Sequence, residues 1–108
     1  MCAKPNAIDI YESRRFAKAL AKLPLAKLQL VEDQIDLVIA DPLVGERKKG
    51  SLAHIRVHKF KLYDQVALLG YSWLENKLEL YLLQFGSHEN FYRDLEHQRK
   101  QDLNLLDP

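Results

Sequence analysis

Apolar positions in the first forty residues recur at helical spacing, whereas those after residue 53 alternate or run together as strands do. Phe16, Ala19, Leu20 and Leu23 share one face of a segment rich in Ala, Lys and Leu, which predicts a helix over Glu12–Leu23. Pro24 interrupts it and suits the start of a second helix, where a missing N–H costs nothing. That helix, predicted over Leu25–Asp41, sets Leu28, Val31, Ile35, Val38 and Ile39 on one stripe and stops at Pro42. The two form a helical hairpin whose stripes call for a flat apolar partner. A short strand, Ala7–Tyr11, precedes them.

Asp41–Leu52 is the long irregular stretch, broken by Pro42, Gly45 and Gly50. Three strand-like runs follow it: His54–Phe60 alternates, Gln65–Trp73 is mostly apolar, and Lys77–Phe85 is apolar with Glu79 and Gln84 interspersed. The gaps Leu62-Tyr63-Asp64 and Glu75-Asn76 are of turn length. Gly86 breaks the last run, and Ser87 is placed to cap a closing helix over Glu89–Gln101. The tail QDLNLLDP carries no clear pattern. Helices packed on a mainly antiparallel sheet define an α+β class, in the order β-α-α-β-β-β-α.

Composition narrows the class. A length of 108 residues, 47% of them hydrophobic, suits a single domain over 1–108 and excludes disorder. Cys2 stands alone and cannot close an internal disulfide, so a reducing cytoplasm is the expected compartment. No apolar run approaches the roughly 20 residues of a membrane span, and the first residues lack a signal-peptide core. No membrane partner is expected.

The formal net charge of +1 conceals a strong asymmetry. Residues 1–44 hold six basic and six acidic side chains, 45–61 hold six basic against Glu46 alone, and 62–108 hold four basic against eight acidic. The basic segment, GERKKGSLAHIRVHKFK, carries Arg47, Lys48, Lys49, Arg56, Lys59 and Lys61 together with His54 and His58. Such a patch attracts phosphate; the alternative is a solvated loop leading into a lysine-protected strand edge.

Strict alternation sets His54, Arg56 and His58 on one strand face at repeats of about 6–7 Å, with Ile55 and Val57 turned the other way toward the helices. In GSHENFYR, His88 falls near a helix N-terminus, where the dipole favours neutral imidazole and free N–H groups suit a phosphate. Tyr92, four residues on, shares its helix face, and Arg93 points elsewhere. Three histidines, two arginines and a tyrosine converging on one sheet face would suit cleavage of an RNA phosphodiester, which needs a base, an acid and cations. The structural alternatives are a loop contact for His54, core capping for Tyr92 and an Arg93–Glu89 pair. Zinc is disfavoured, because His54 and His58 lie roughly 13 Å apart on a strand. Tyr63, Tyr71, Trp73, Tyr81 and Phe85 read as core and cross-strand packing. No cofactor motif is present, and none is expected.

The element order, the approach GERKKGSLAHIRVHKFK and the closing YLLQFGSHENFYRDLEHQRK resemble toxins of the RelE/ParE superfamily from bacterial type II toxin–antitoxin modules. The likeness covers about residues 7–100, and GSHENFYRDL is its most specific part. It implies one of two activities: ribosome-dependent mRNA cleavage, as in RelE-, YafQ- and HigB-like members, or non-enzymatic poisoning of DNA gyrase, as in ParE-like members. Under the first, His88 would be the general acid or base with His58 as its counterpart, and His54 would be a looser match. Arg56 would stabilise the phosphorane and Tyr92 would orient the nucleotide. Lys48, Lys49, Lys59, Lys61 and Arg93 would contact RNA. Either activity implies a cognate antitoxin and a toxin–antitoxin hetero-oligomer, with ribosome and mRNA, or gyrase, as the target.

Overall fold

A computed structural model describes residues 8–106; Cys2, Ala7 and the last two residues of the tail lie outside them. The elements are β1 (Asp9–Glu12), α1 (Arg14–Ala21), α2 (Leu25–Ala40), β2 (Glu46–Arg47), β3 (Arg56–Leu62), β4 (Gln65–Leu74), β5 (Glu79–Ser87), α3 (Phe91–His97) and α4 (Arg99–Leu106). The strands form one sheet in the order β1-β5-β4-β3-β2, with β1 parallel to β5 and the other pairs antiparallel. The α+β class and the mainly antiparallel sheet are as the sequence pattern predicts.

The sheet has a helical layer on each face. On one, Phe16 of α1 and Val31, Ile35 and Val38 of α2 pack on Leu69, Tyr71, Leu80 and Leu82. On the other, Phe91 and Leu95 of α3 pack on Ile55, Val57, Leu68 and Leu83. Ile55 and Val57 therefore face α3, not the α1–α2 hairpin, which corrects the expected orientation of that strand. Gly70 admits α3, since a Cβ there would meet the Phe91 ring at 3.1 Å.

Several boundaries shift for identifiable reasons. Glu12 stays in β1, paired with Leu82, because Ser13 is the cap of α1 and accepts from the Phe16 N–H at 3.1 Å. Ser87 does not cap a helix. It pairs with Ala67 at the end of β5, and α3 begins only after Asn90, which adopts the left-handed conformation at φ 64°. The tail is helical through Leu106, and a break at Gln98 divides the predicted closing helix into α3 and α4.

The break is held by a network that no local pattern reveals. Arg15 of α1 grips Asp102 of α4 in a two-pronged pair at 2.9 and 2.8 Å and donates from Nε to Gln84 at 3.1 Å. Gln84 in turn donates to the Phe91 carbonyl at 2.7 Å, tying the first turn of α3 to β5. Asp102 is only 1% exposed, so the guanidinium is what makes its charge tolerable there.

Candidate nucleic-acid interface

The site begins with an unpredicted strand. Glu46–Arg47 pairs with Val57 and Arg56, making β2 the sheet's edge beside β3. The chain reaches it through a loop fixed from two sides. Tyr71 donates to the Pro42 carbonyl at 2.7 Å and accepts from the Gly45 N–H at 2.9 Å. Arg56 donates to the Gly45 carbonyl at 2.8 Å. Only glycine fits position 45, since a Cβ there would lie 2.7 Å from the Tyr71 hydroxyl.

Alternation along β2 sends Arg47 to the α2 face and Glu46 to the α3 face, and the chain beyond places Lys48 there too. The Lys48 ammonium lies 5.2 Å from the centroid of the Tyr92 ring and 3.2 Å from Glu46. Partial burial pulls the Lys48 pKa down, but Glu46 and Tyr92 outweigh it and leave it raised. Lys48 is therefore a fixed cation at neutral pH. His88 lies edge-on to Tyr92 with ring centroids 5.9 Å apart. A shallow cleft of about 340 Å³ is lined by Glu46, Lys48, Val57, His58, Lys59 and Tyr92 among others, and His88 reaches it only through its contact with Tyr92. Lys59 and Lys61 are exposed, and their places on β3 alternate with Val57 on this face.

The expected histidine cluster does not form. His58 faces α2: its Nε2 donates to the Gln34 side-chain carbonyl at 2.7 Å and its ring stacks on Phe60 at 5.6 Å. Burial lowers its pKa. The His58 ring is thus turned to the α2 face, away from Tyr92, although the residue borders the same cleft, and the structure does not bring its ring together with His88. Arg56, also on the α2 face, is occupied with the loop carbonyls of Leu43 and Gly45 rather than with a phosphorane near His88. His54 precedes the strand, because β3 begins only at Arg56; its pKa is lowered chiefly by burial. Lys49 is exposed ahead of a 3-10 turn, Gly50–Leu52, and Arg93 is exposed on α3 without an ion pair among the described residues. Tyr92 is half-buried against the α3-side core and lines the cleft.

Sequence reasoning missed how Lys48 and Tyr92 meet. The available signal was weak: Glu46 and Lys48 alternate, but a two-residue strand is too short to stand out from a loop. Among the described residues no group of three His, Cys, Asp or Glu side chains could hold a metal, and no helix is long and apolar enough to cross a membrane.

A small sheet with helices on both faces is a fold shared with several solved structures. The structure resembles RelE in the Escherichia coli RelBE toxin–antitoxin complex, with a TM-score of 0.62 at 19% identity over 77% of this chain and 99% of that one. It resembles a mutant E. coli RelE in the free state with a TM-score of 0.67 at 16% identity over 88% and 98%. For the archaeal RelE–RelB complex from Pyrococcus horikoshii the TM-score is 0.55 at 16% identity over 76% and 96%. No curated protein matches the sequence. A family model for the ParE-like toxin of type II bacterial toxin–antitoxin systems matches residues 10–96, and the chain belongs to that family.

Proposed function

We propose that this toxin is a ribosome-dependent mRNA endoribonuclease whose site is the α3-side cleft, and that a cognate antitoxin neutralises it in a hetero-oligomer. The Lys48–Tyr92–His88 grouping carries the reading. It puts a fixed cation and a phenol on one cleft, with Lys59 on its wall and the His88 imidazole edge-on to the phenol beside it. In RNA cleavage the 2′-oxygen attacks the adjacent phosphorus, its proton leaves to a base, and the departing 5′-oxygen gains a proton. Lys48 and Lys59 neutralise the charge that builds on the phosphoryl oxygens. Imidazole is the side chain suited to proton transfer near neutral pH, which gives that task to His88. The Tyr92 hydroxyl orients the nucleotide. The basic edge formed by Lys49, Lys59 and Lys61 follows the RNA backbone.

The solved RelBE complexes support an antitoxin partner of the same general kind. The ParE-like family match favours a second reading, in which the chain binds DNA gyrase and cuts no RNA. The two are separated by adding purified protein to a reconstituted translation system and, in parallel, to gyrase with plasmid DNA. Translation-dependent cuts in the message without gyrase cleavage complexes are expected. Cleavage complexes without cuts would replace the nuclease reading by the gyrase one.

A further inference from the structure

We infer that the cleft at the outer end of β2 and β3, between Arg47, Arg56 and Trp73, is a second site, one that binds a ribonucleotide through its phosphate and its base. Arg47 and Arg56 are directly opposite each other in the β2–β3 register, on the α2 face. Like charges so placed repel, and among the described residues neither has a carboxylate partner. Each guanidinium is anchored by part of its donor set: Arg47 donates from Nε to the Ala53 carbonyl, and Arg56 donates from Nη1 to Leu43 and Gly45. The remaining N–H groups keep the fork geometry that matches a phosphate.

Two further residues shape the cleft. His54 lines it with its Nε2 buried, so the ring is a wall of the cleft. Trp73, half-buried against the α1–α2 core, supplies an indole wall on which a base can stack. The cleft measures about 320 Å³, and Glu75 is its acidic lining residue, outnumbered by the two arginines. Arg47 and Lys48 point to opposite faces, so this site is separate from the Lys48–Tyr92 cleft.

The test uses Trp73 itself, the single tryptophan of the chain. Its emission, excited beyond nucleotide absorption, is followed while the full chain is titrated with adenosine monophosphate, a short single-stranded RNA or inorganic phosphate. Nucleotide and RNA quench the emission, salt weakens both, and Arg47→Gln weakens both about tenfold or more. Arg56→Lys keeps the charge without the fork and weakens them too, whereas an alanine there would free the loop it anchors. Tighter binding of RNA identifies a strand of RNA as the source of the nucleotide, and equal binding identifies the free nucleotide. No quenching, binding of inorganic phosphate as tight as that of nucleotide, or a normally folded Arg47→Gln protein that titrates like wild type overturns the inference. The titration does not depend on RNA cleavage, so the two readings fail separately.

Discussion

Lys48 and Tyr92, forty-four residues apart in sequence, meet across the sheet edge with the ammonium 5.2 Å from the ring centroid. Their contact depends on three remote anchors: Tyr71 and Arg56 holding the loop that leads to β2, and Gln84 holding the first turn of α3. The cleft is therefore a product of the whole sheet rather than of one motif.

The anchoring loop is the most sensitive point. Gly45→Ala puts a methyl group into the Tyr71 hydroxyl, so the loop or the ring must move. Overpacking of this kind costs about 1–3 kcal/mol, which urea unfolding would register as a lower midpoint at unchanged slope. A midpoint equal to that of wild type would show that the loop yields freely.

Asp102→Ala leaves the Arg15 guanidinium without its carboxylate. Breaking a buried pair typically costs about 3–5 kcal/mol, and Arg15 is 26% exposed, so about 2–3 kcal/mol is expected. Replacing both residues, Arg15→Met with Asp102→Leu, restores much of the loss. A double variant as unstable as the single one would mean that the Arg15 bond to Gln84, which this replacement also removes, matters as much as the ion pair.

Acid weakens the fold through His54 and His58. Burial lowers both pKa values below the ordinary value of 6.5, so the unfolded chain takes up protons first as pH falls. Their contribution is fully present above pH 6.5 and declines below it, down to the lowered folded values. Thermal unfolding followed from pH 8 to pH 5 should show this decline, reduced in His58→Gln. A pH dependence identical in that variant would remove His58 from the effect.

Much of the fold was legible because burial is periodic. The stripe Val31, Ile35, Val38 and the runs of β4 and β5 are long enough to declare their period, and each packs as its spacing requires. The site was less legible. Alternation correctly separates Arg56 and His58 from Val57, but not which face each set occupies. That depends on α3 and α4, and the docking of α4 rests on Arg15 and Asp102, eighty-seven residues apart. His88 and Tyr92 do meet, but not on a shared helix face as their four-residue spacing predicts: α3 begins only at Phe91, and His88 lies ahead of it. Lys48 was visible only as one cation in a basic run.

Tyr63 shows the same limit at a turn. A gap of turn length predicts a hairpin but not its strain: Tyr63 sits at φ 58°, where glycine or asparagine is at ease, and 56% of it is exposed. Tyr63→Asn should raise stability by about 0.5–1 kcal/mol, net of the lost contact with Lys27. An unchanged or lower melting temperature would mean that the ring contributes more than the strain costs.

A working site on the α3 side of the sheet makes cleavage depend on the residues of that face. Primer-extension mapping of a reporter message in a purified translation system, with wild-type protein, Lys48→Met, Tyr92→Phe, His88→Ala and His58→Gln side by side, tests it most directly. Cleavage should fall by about 10²-fold or more in the His88 and Lys48 variants and less in Tyr92→Phe, while His58→Gln cuts like wild type. Loss of cutting in a well-folded His58→Gln protein, with the α3-side variants fully active, would contradict the account.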